Sequence, residues 1–397
     1  MPSVFPIAAR YALWSFLRSL LHRGWWLVTS LYLVLEAGLS PFELVMLGTA
    51  QGLTVLLAEV PAGVFADAIS RKGSLLIAHA LMGLGMVSTA LVLSFPALMV
   101  TQMIWGLSWT FSSGADVAWL TDELNAPARA RRALIRAAQW GQAGAVLGLL
   151  GLGALAWASS LATAMIVAGI GMWLLGLAVL LAFPETRFQR AAPGRVLATA
   201  QRTFGEGLQT VRRERVLVFV LLGTLLVNGA DEAFVRLQGK QLLTLGAPDA
   251  AAPVVWFTVI AVLALFLSLA ALEGVQRYLQ RTRRYASAYR AAVLLTALAL
   301  LGFALAPTFG SAAIAVLLAT GAGMVPVRTV SELWANEHAT DEVRATVQSL
   351  LTFSENLGEV TLGFLLALLA AAAGIPAAMV AAAGLCLLVV ALIGRGV

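Results

Sequence analysis

The sequence predicts an all-α integral membrane protein with twelve transmembrane helices, and three observations carry that prediction. Of its 397 residues, 60% are hydrophobic and only 12% are charged, with a mean hydropathy of +0.89; a soluble domain carries roughly 25% charged residues. The apolar residues come in continuous runs of about 20, and at 1.5 Å per helical residue each run crosses a hydrocarbon core about 30 Å thick. Lys and Arg gather in alternate connections between those runs. A β-barrel is excluded, because barrel strands alternate apolar and polar side chains and these runs do not.

The first span, 12–37, ends at Leu39-Ser40-Pro41. Its length, with no small-residue cleavage site after it, marks an uncleaved anchor rather than a secretion signal. The second span, 43–66, and the third, 74–94, are separated by a polar turn from Asp67 to Lys72 at the membrane edge. Phe95-Pro96 opens the fourth, 97–120, and the basic stretch Arg129 to Arg136 leads into the fifth, 133–157. The sixth, 161–183, is followed by the one long polar connection, Pro184 to Arg215. The second half holds spans at 216–243, 253–274, 286–305, 311–334, 343–372 and 376–394, with breaks at Ala306-Pro307 and Gly374-Ile375-Pro376. Pro and Gly at such places punctuate helices.

The charges orient the chain. About 21 of the 26 Lys and Arg residues lie in alternate loops, and the opposite loops hold essentially Lys240 alone. This is the positive-inside pattern, so both termini and the long central connection are expected in the cytoplasm. The net charge of +6 is therefore a topology signal. The basic residues are split among loops with no aromatic stacking platform, so nucleic acid is not an expected partner. Cys386 is the single cysteine and forms no internal disulfide. His22, His79 and His338 are scattered without metal-ligand spacing. No phosphate-binding Gly-x-x-x-x-Gly-Lys-Ser/Thr occurs. Neither an enzyme, a metal nor a cofactor is expected.

The central connection divides the chain into six plus six spans: residues 1–184, a linker at 185–215, and 216–397. A faint repeat supports this. At one offset of 212 positions Arg71-Lys72 aligns with Arg283-Arg284, and Arg132-Ala133 with Arg344-Ala345. Two pseudo-symmetric six-helix bundles are expected, a recurrent design of secondary transporters.

The turn after the second span reads Gly63-x-x-x-Asp67-x-x-x-Arg71-Lys72. That spacing resembles the loop between the second and third helices of major facilitator superfamily transporters, and the topology of the whole chain resembles that family. Ser113 to Asp122 and Val343 to Leu350 resemble the fourth and eleventh helices of its bacterial drug-exporter-like members. The resemblance implies that Asp67, with Arg71 and Lys72 beside it, gates by contacting the start of the eleventh helix. It also implies that the first, fourth, seventh and tenth helices line a central cavity. Two positions depart from the family's proton antiporters. Gln102 stands where an Arg is common, four residues before Gly106. The fifth span carries Gly141, Gly144, Gly148, Gly151 and Gly153 without the Pro of a Gly-Pro element. Small residues at that spacing let helices approach closely.

Charges inside spans are costly and are candidates for function. Arg18 and His22 share a face of the first span, where Arg18 is expected to snorkel toward the cytoplasmic edge. Arg23, deeper and beside Gly24-Trp25-Trp26, is a candidate cavity residue. Asp116 and Arg328 again differ by 212 positions and are candidates to pair across the pseudo-symmetry. The seventh span holds Asn228, Asp231, Glu232 and Arg236, with Glu232 and Arg236 spaced for a local ion pair. The eleventh holds Glu355 and Glu359 one turn apart, with Glu59 and Glu273 as possible partners. Carboxylates crowded in low dielectric do not all ionise, which makes these sites candidate proton carriers. Trp25, Trp26, Trp105, Trp109 and Trp119 could line an apolar pocket.

The expected function is alternating-access transport, with proton-coupled efflux of small amphipathic compounds leading. Protons, a small-molecule substrate and the lipid bilayer are the expected partners. A monomer in the cell inner membrane is the expected setting. An organic-anion or metabolite carrier is the alternative, motivated by Arg23, Arg236 and Arg328. A lipid scramblase or a sensor on the same scaffold is the alternative from another class.

Overall fold

A computed structural model of the protein describes residues 6–190, 202, 205, 209, 211, 213–248, 253–339 and 343–396. Most of the expected linker at 185–215 lies outside the described residues. Among the described residues all regular structure is helical, and no strand occurs. Eight helices there are long and apolar enough to cross a membrane by length and composition.

The first helix, α1, spans Ile7–Leu35 and starts after Pro6. α2 covers Pro41–Ala68 and keeps Pro61 within it. α3, Arg71–Thr89, is N-capped by Ser70, whose Oγ accepts from the Gly73 N–H at 2.7 Å. α4, Phe95–Ser112, has Pro96 in its first turn, where a missing N–H costs nothing. α5 is Ala115–Leu124 and α6 is Pro127–Ala158. α7, Leu161–Ala182, is capped by Ser160 on the Thr163 N–H.

In the second half come α8, Arg215–Thr244, α9, Pro253–Thr282, and α10, Tyr285–Ala304. α11, Phe309–Val316, opens with a Thr308/Ser311 capping box. It continues through a π-helical stretch, Leu317–Met324, into α12, Val325–His338. α13 runs Arg344–Gly396, with a non-helical break at Gly374, φ +88°. That is the break the sequence placed at Gly374-Ile375-Pro376, and a left-handed residue there needs glycine.

Two boundaries differ from the sequence reading. The expected fourth span, 97–120, is broken at Ser113-Gly114. Gly114 has φ +75° and sets α5 on a new course. The turn after the second span shrinks to Ile69 and Ser70, because α2 continues through Asp67 and α3 starts at Arg71. Asp67 and Arg71 are thus a helix end and a helix start, not loop residues.

Two compact units are present. Unit 1 comprises Met1–Gly38 and Thr54–Thr199; unit 2 comprises Leu39–Leu53 and Ala200–Val397. Within unit 1, α1 packs on α6 through glycines. A Cβ at Gly144 or Gly148 would strike the carbonyls of Phe16 or Leu20, and one at Gly24 would strike the Gly148 carbonyl. Unit 2 repeats the device between α8 and α13, where Gly358 lies against the Leu225 carbonyl. Glycine lets backbones close to this distance without a side chain between them. Gly151, grouped with these in the sequence, faces open space. Gly148→Val is therefore expected to cost more than the roughly 1–3 kcal/mol of ordinary overpacking, because backbone must move. Gly151→Val should leave thermal unfolding in detergent unchanged. Outward-facing apolar side chains are frequent: Leu181 is 79% exposed and Leu57 69%. Lipid, as apolar as leucine, accounts for them.

Candidate functional site

Three constellations gather the chemistry-bearing side chains, two in unit 1 and one in unit 2. The first surrounds the α2–α3 turn. Arg71 donates through Nη1 to the Asp122 carboxylate of α5, and its Nη2 lies 3.6 Å from Asp67. Glu185 fastens the turn from the other side, accepting from Ser70 Oγ at 2.6 Å and from the Lys72 N–H at 2.8 Å. Lys72 Nζ donates to the Leu180 carbonyl at 2.7 Å. Glu123 is buried and accepts from the Thr186 and Arg187 N–H groups at 2.6 and 2.9 Å. Glu123 and Glu185 were not singled out from sequence, since their partners lie dozens of residues away. Gly63 has open space around its Cα.

The second constellation runs along α1, α4 and α5. Tyr11 donates its hydroxyl to Asp116 at 2.9 Å. Asp116 thus has a partner within unit 1, while Arg328 finds its own in unit 2. Arg18, expected to snorkel, has partners within unit 1. It donates to Ser112 Oγ at 2.9 Å, and its guanidinium lies 5.2 Å from the ring centres of both Trp14 and Trp109. His22 stacks on Trp105 at 5.3 Å and 22°. Trp25 stacks on Trp105 at 5.9 Å and 13°. Trp26 joins this group at 5.6 Å from Trp105. Trp119 does not. It stacks on Phe183 at 4.1 Å and donates to the Pro184 carbonyl. Arg23 is exposed. Gln102 is fully buried and donates to Thr89 Oγ1 at 3.3 Å, so it ties α4 to α3.

The third constellation lies in unit 2. Arg236 Nε donates to Glu232 Oε1 at 2.8 Å, one turn away on α8, with the side chains only 6% and 13% exposed. Its Nη2 donates to Gln51 Oε1 at 3.0 Å. The sequence offered the ion pair but not Gln51, whose helix lies 185 residues earlier. Gly48 is what admits the pair, because a Cβ there would collide with Glu232 Oε1 and come within 2.7 Å of Arg236 Nε. Arg328 of α12 donates to Glu355 Oε2 of α13 at 2.8 Å and lies 3.6 Å from Glu332. Asn228 donates to the Thr224 carbonyl of its own helix. Asp231 and Glu359 lie within electrostatic reach of each other and of Glu232, Glu355 and Arg328. Neither has an ion-pair partner among the described residues. Glu273 pairs with Arg277 at 2.7 Å on its own helix and is not a partner of Glu355 or Glu359. No group of His, Cys, Asp and Glu suited to a metal occurs among the described residues.

This arrangement of helices has relatives. The family model described as Major Facilitator Superfamily matches residues 12–358. No curated protein sequence matches. Among solved structures, a mutant form of the nucleoside transporter NupG superposes with a TM-score of 0.78 at 13% identity, covering 98% of this chain and 99% of that one. An inward-facing, unoccupied bacterial homolog of the human lysosomal transporter Spinster gives 0.77 at 15% identity, covering 98% and 97%. A mutant peptide transporter POT in complex with alafosfalin gives 0.77 at 13%, covering 98% and 94%. At such identities the likeness is one of fold. With the family model spanning most of the chain, this multi-pass membrane protein belongs to the major facilitator superfamily.

Proposed function

We propose that this protein is a secondary transporter, working by alternating access with twelve spans in two pseudo-symmetric six-helix bundles, and that it couples proton influx to export of small amphipathic compounds. The charge count of the unit 2 constellation carries the reading. Asp231, Glu232, Glu355 and Glu359 face Arg236 and Arg328. Full ionisation would leave at least two uncompensated negative charges among membrane-spanning helices, before Glu332 beside Arg328 is counted, and an unmatched charge there is costly. A reversibly bound proton is the simplest compensation. Arg236 matches Glu232 and Arg328 matches Glu355, so Asp231 and Glu359 are the proposed carriers. The drug-exporter-like motifs at 113–122 and 343–350 support export. The basic loops support an inner-membrane protein with both termini in the cytoplasm, and a monomer is sufficient for this mechanism.

Purified protein in liposomes tests this: substrate flux should respond to an imposed pH gradient, and lipid movement without gradient dependence would instead support a scramblase. Asp67, Arg71 and Lys72 are the proposed gate. Asp67 is half exposed and its contact with Arg71 is long, so Asp67→Asn should change stability by less than about 1 kcal/mol. Transport by that variant should nonetheless fall sharply; unaltered turnover removes Asp67 from the mechanism.

The organic-anion alternative draws less from Arg236 and Arg328 than their number suggests, because both already hold carboxylates. One cation in unit 1 does favour it.

A further inference from the structure

Arg18 differs from the arginines that hold carboxylates. Arg71, Arg236, Arg277 and Arg328 each do so. No carboxylate pairs with Arg18 among the described residues; its hydrogen bond goes to the neutral Ser112 hydroxyl. Asp116 is the carboxylate whose charge Arg18 feels, but it lies beyond ion-pair distance and accepts from Tyr11 instead. A guanidinium offers five N–H donors in a plane that matches a carboxylate. Leaving a guanidinium among packed helices without an anion is costly unless an anion comes to it.

The walls around Arg18 are flat. Trp14 and Trp109 flank the guanidinium, and His22 lies 5.9 Å from Trp109 and 5.3 Å from Trp105. Trp109 is 39% exposed and Arg18 and His22 are half-buried, so protein does not seal this group on every side. Three buried ring nitrogens beside it, His22 Nε2, Trp25 Nε1 and Trp105 Nε1, have no hydrogen-bond partner.

We infer that Arg18, Trp109 and His22 form a binding site for planar aromatic carboxylates, with the carboxylate on the guanidinium and the ring stacked on the Trp109–His22 surface. A small inorganic anion would leave the aromatic surface unused. An organic cation would meet Arg18 as a like charge. The inference rests on the transport reading for its role and names the substrate class.

Calorimetry on the full-length protein in detergent tests it without relying on transport. Naphthoate, naphthylmethanol, naphthylmethylammonium, octanoate and inorganic phosphate are the probes. Naphthoate should bind at least about tenfold more tightly than each of the others, a difference of about 1.4 kcal/mol. Arg18→Gln should abolish the preference for naphthoate over naphthylmethanol. Trp109→Leu, at a partly exposed position, should abolish the preference over octanoate and keep the preference for anions. It decides the matter even if Arg18→Gln does not fold. Equal binding of the neutral probe, tighter binding of the cation, or phosphate binding as well as naphthoate overturns the inference. So does an unchanged preference in folded Arg18→Gln. Naphthoate binding without any flux in liposomes would overturn the transport reading alone. Gradient-driven flux of other compounds with no naphthoate preference would overturn this inference alone.

Discussion

Asp231→Asn and Glu359→Gln are each expected to cut flux driven by an imposed pH gradient by roughly tenfold or more, while substrate counterflow at equal pH falls by less than about twofold. The split follows from the pairing in unit 2. Glu232 and Glu355 are held by Arg236 and Arg328 at 2.8 Å, so removing either carboxylate's charge would strand a guanidinium. Asp231 and Glu359 share the same electrostatic neighbourhood without a cation of their own. Replacing either with its amide fixes the neutral state while preserving shape. Substrate exchange, which needs no net proton movement, should continue. Glu232→Gln, by contrast, should lower both activities together, because it disturbs the structure. Driven flux that survives in both amide variants would sink the proton-carrier assignment.

The second large effect is structural and centres on the Glu232–Arg236 pair. Glu232→Ala should destabilise the protein by about 3–5 kcal/mol, the usual consequence of stranding one partner of a buried ion pair. Removing both charges with Glu232→Gln and Arg236→Met should cost much less, because no uncompensated ion remains. Gly48→Ala reaches the same pair from α2. Its methyl group would come within 1.6 Å of Glu232 Oε1, the end of a flexible side chain, so the pair should shift and the variant should unfold at a temperature between those of the parent and Glu232→Ala. Thermal unfolding in detergent measures all three. A Gly48→Ala variant as stable as the parent would mean that the pair can shift without loss.

Much of the fold was legible in the chain. The break at Gly374 was visible as Gly374-Ile375-Pro376, since a left-handed residue followed by proline ends a helix on local grounds alone. The Glu232–Arg236 pair was visible because partners one turn apart on one helix meet whatever surrounds them. Gly144 and Gly148 could be read as close-packing positions, but not distinguished from Gly151, because all three look alike until α1 is laid against them. The break at Gly114 was missed because the residues on either side are apolar enough to pass for one span. The extent of α2 was missed because polar residues suggested a turn, and their helical hydrogen bonds continue through it.

Composition and run length by themselves determined that the protein is helical and embedded in a bilayer, and the spacing from Gly63 to Lys72 pointed to its family. Both are properties of contiguous residues, set by the thickness of a membrane and the rise of a helix. The sequence also named nearly every charge inside a span. Only the tertiary structure decided which of those charges are matched: Arg328 with Glu355, Arg236 with Gln51 as well as Glu232, and Arg18 with indoles rather than a carboxylate. Whether a buried charge has a partner depends on side chains brought together from distant helices. In low dielectric that pairing separates a structural ion pair from a group left ready for a proton or a substrate.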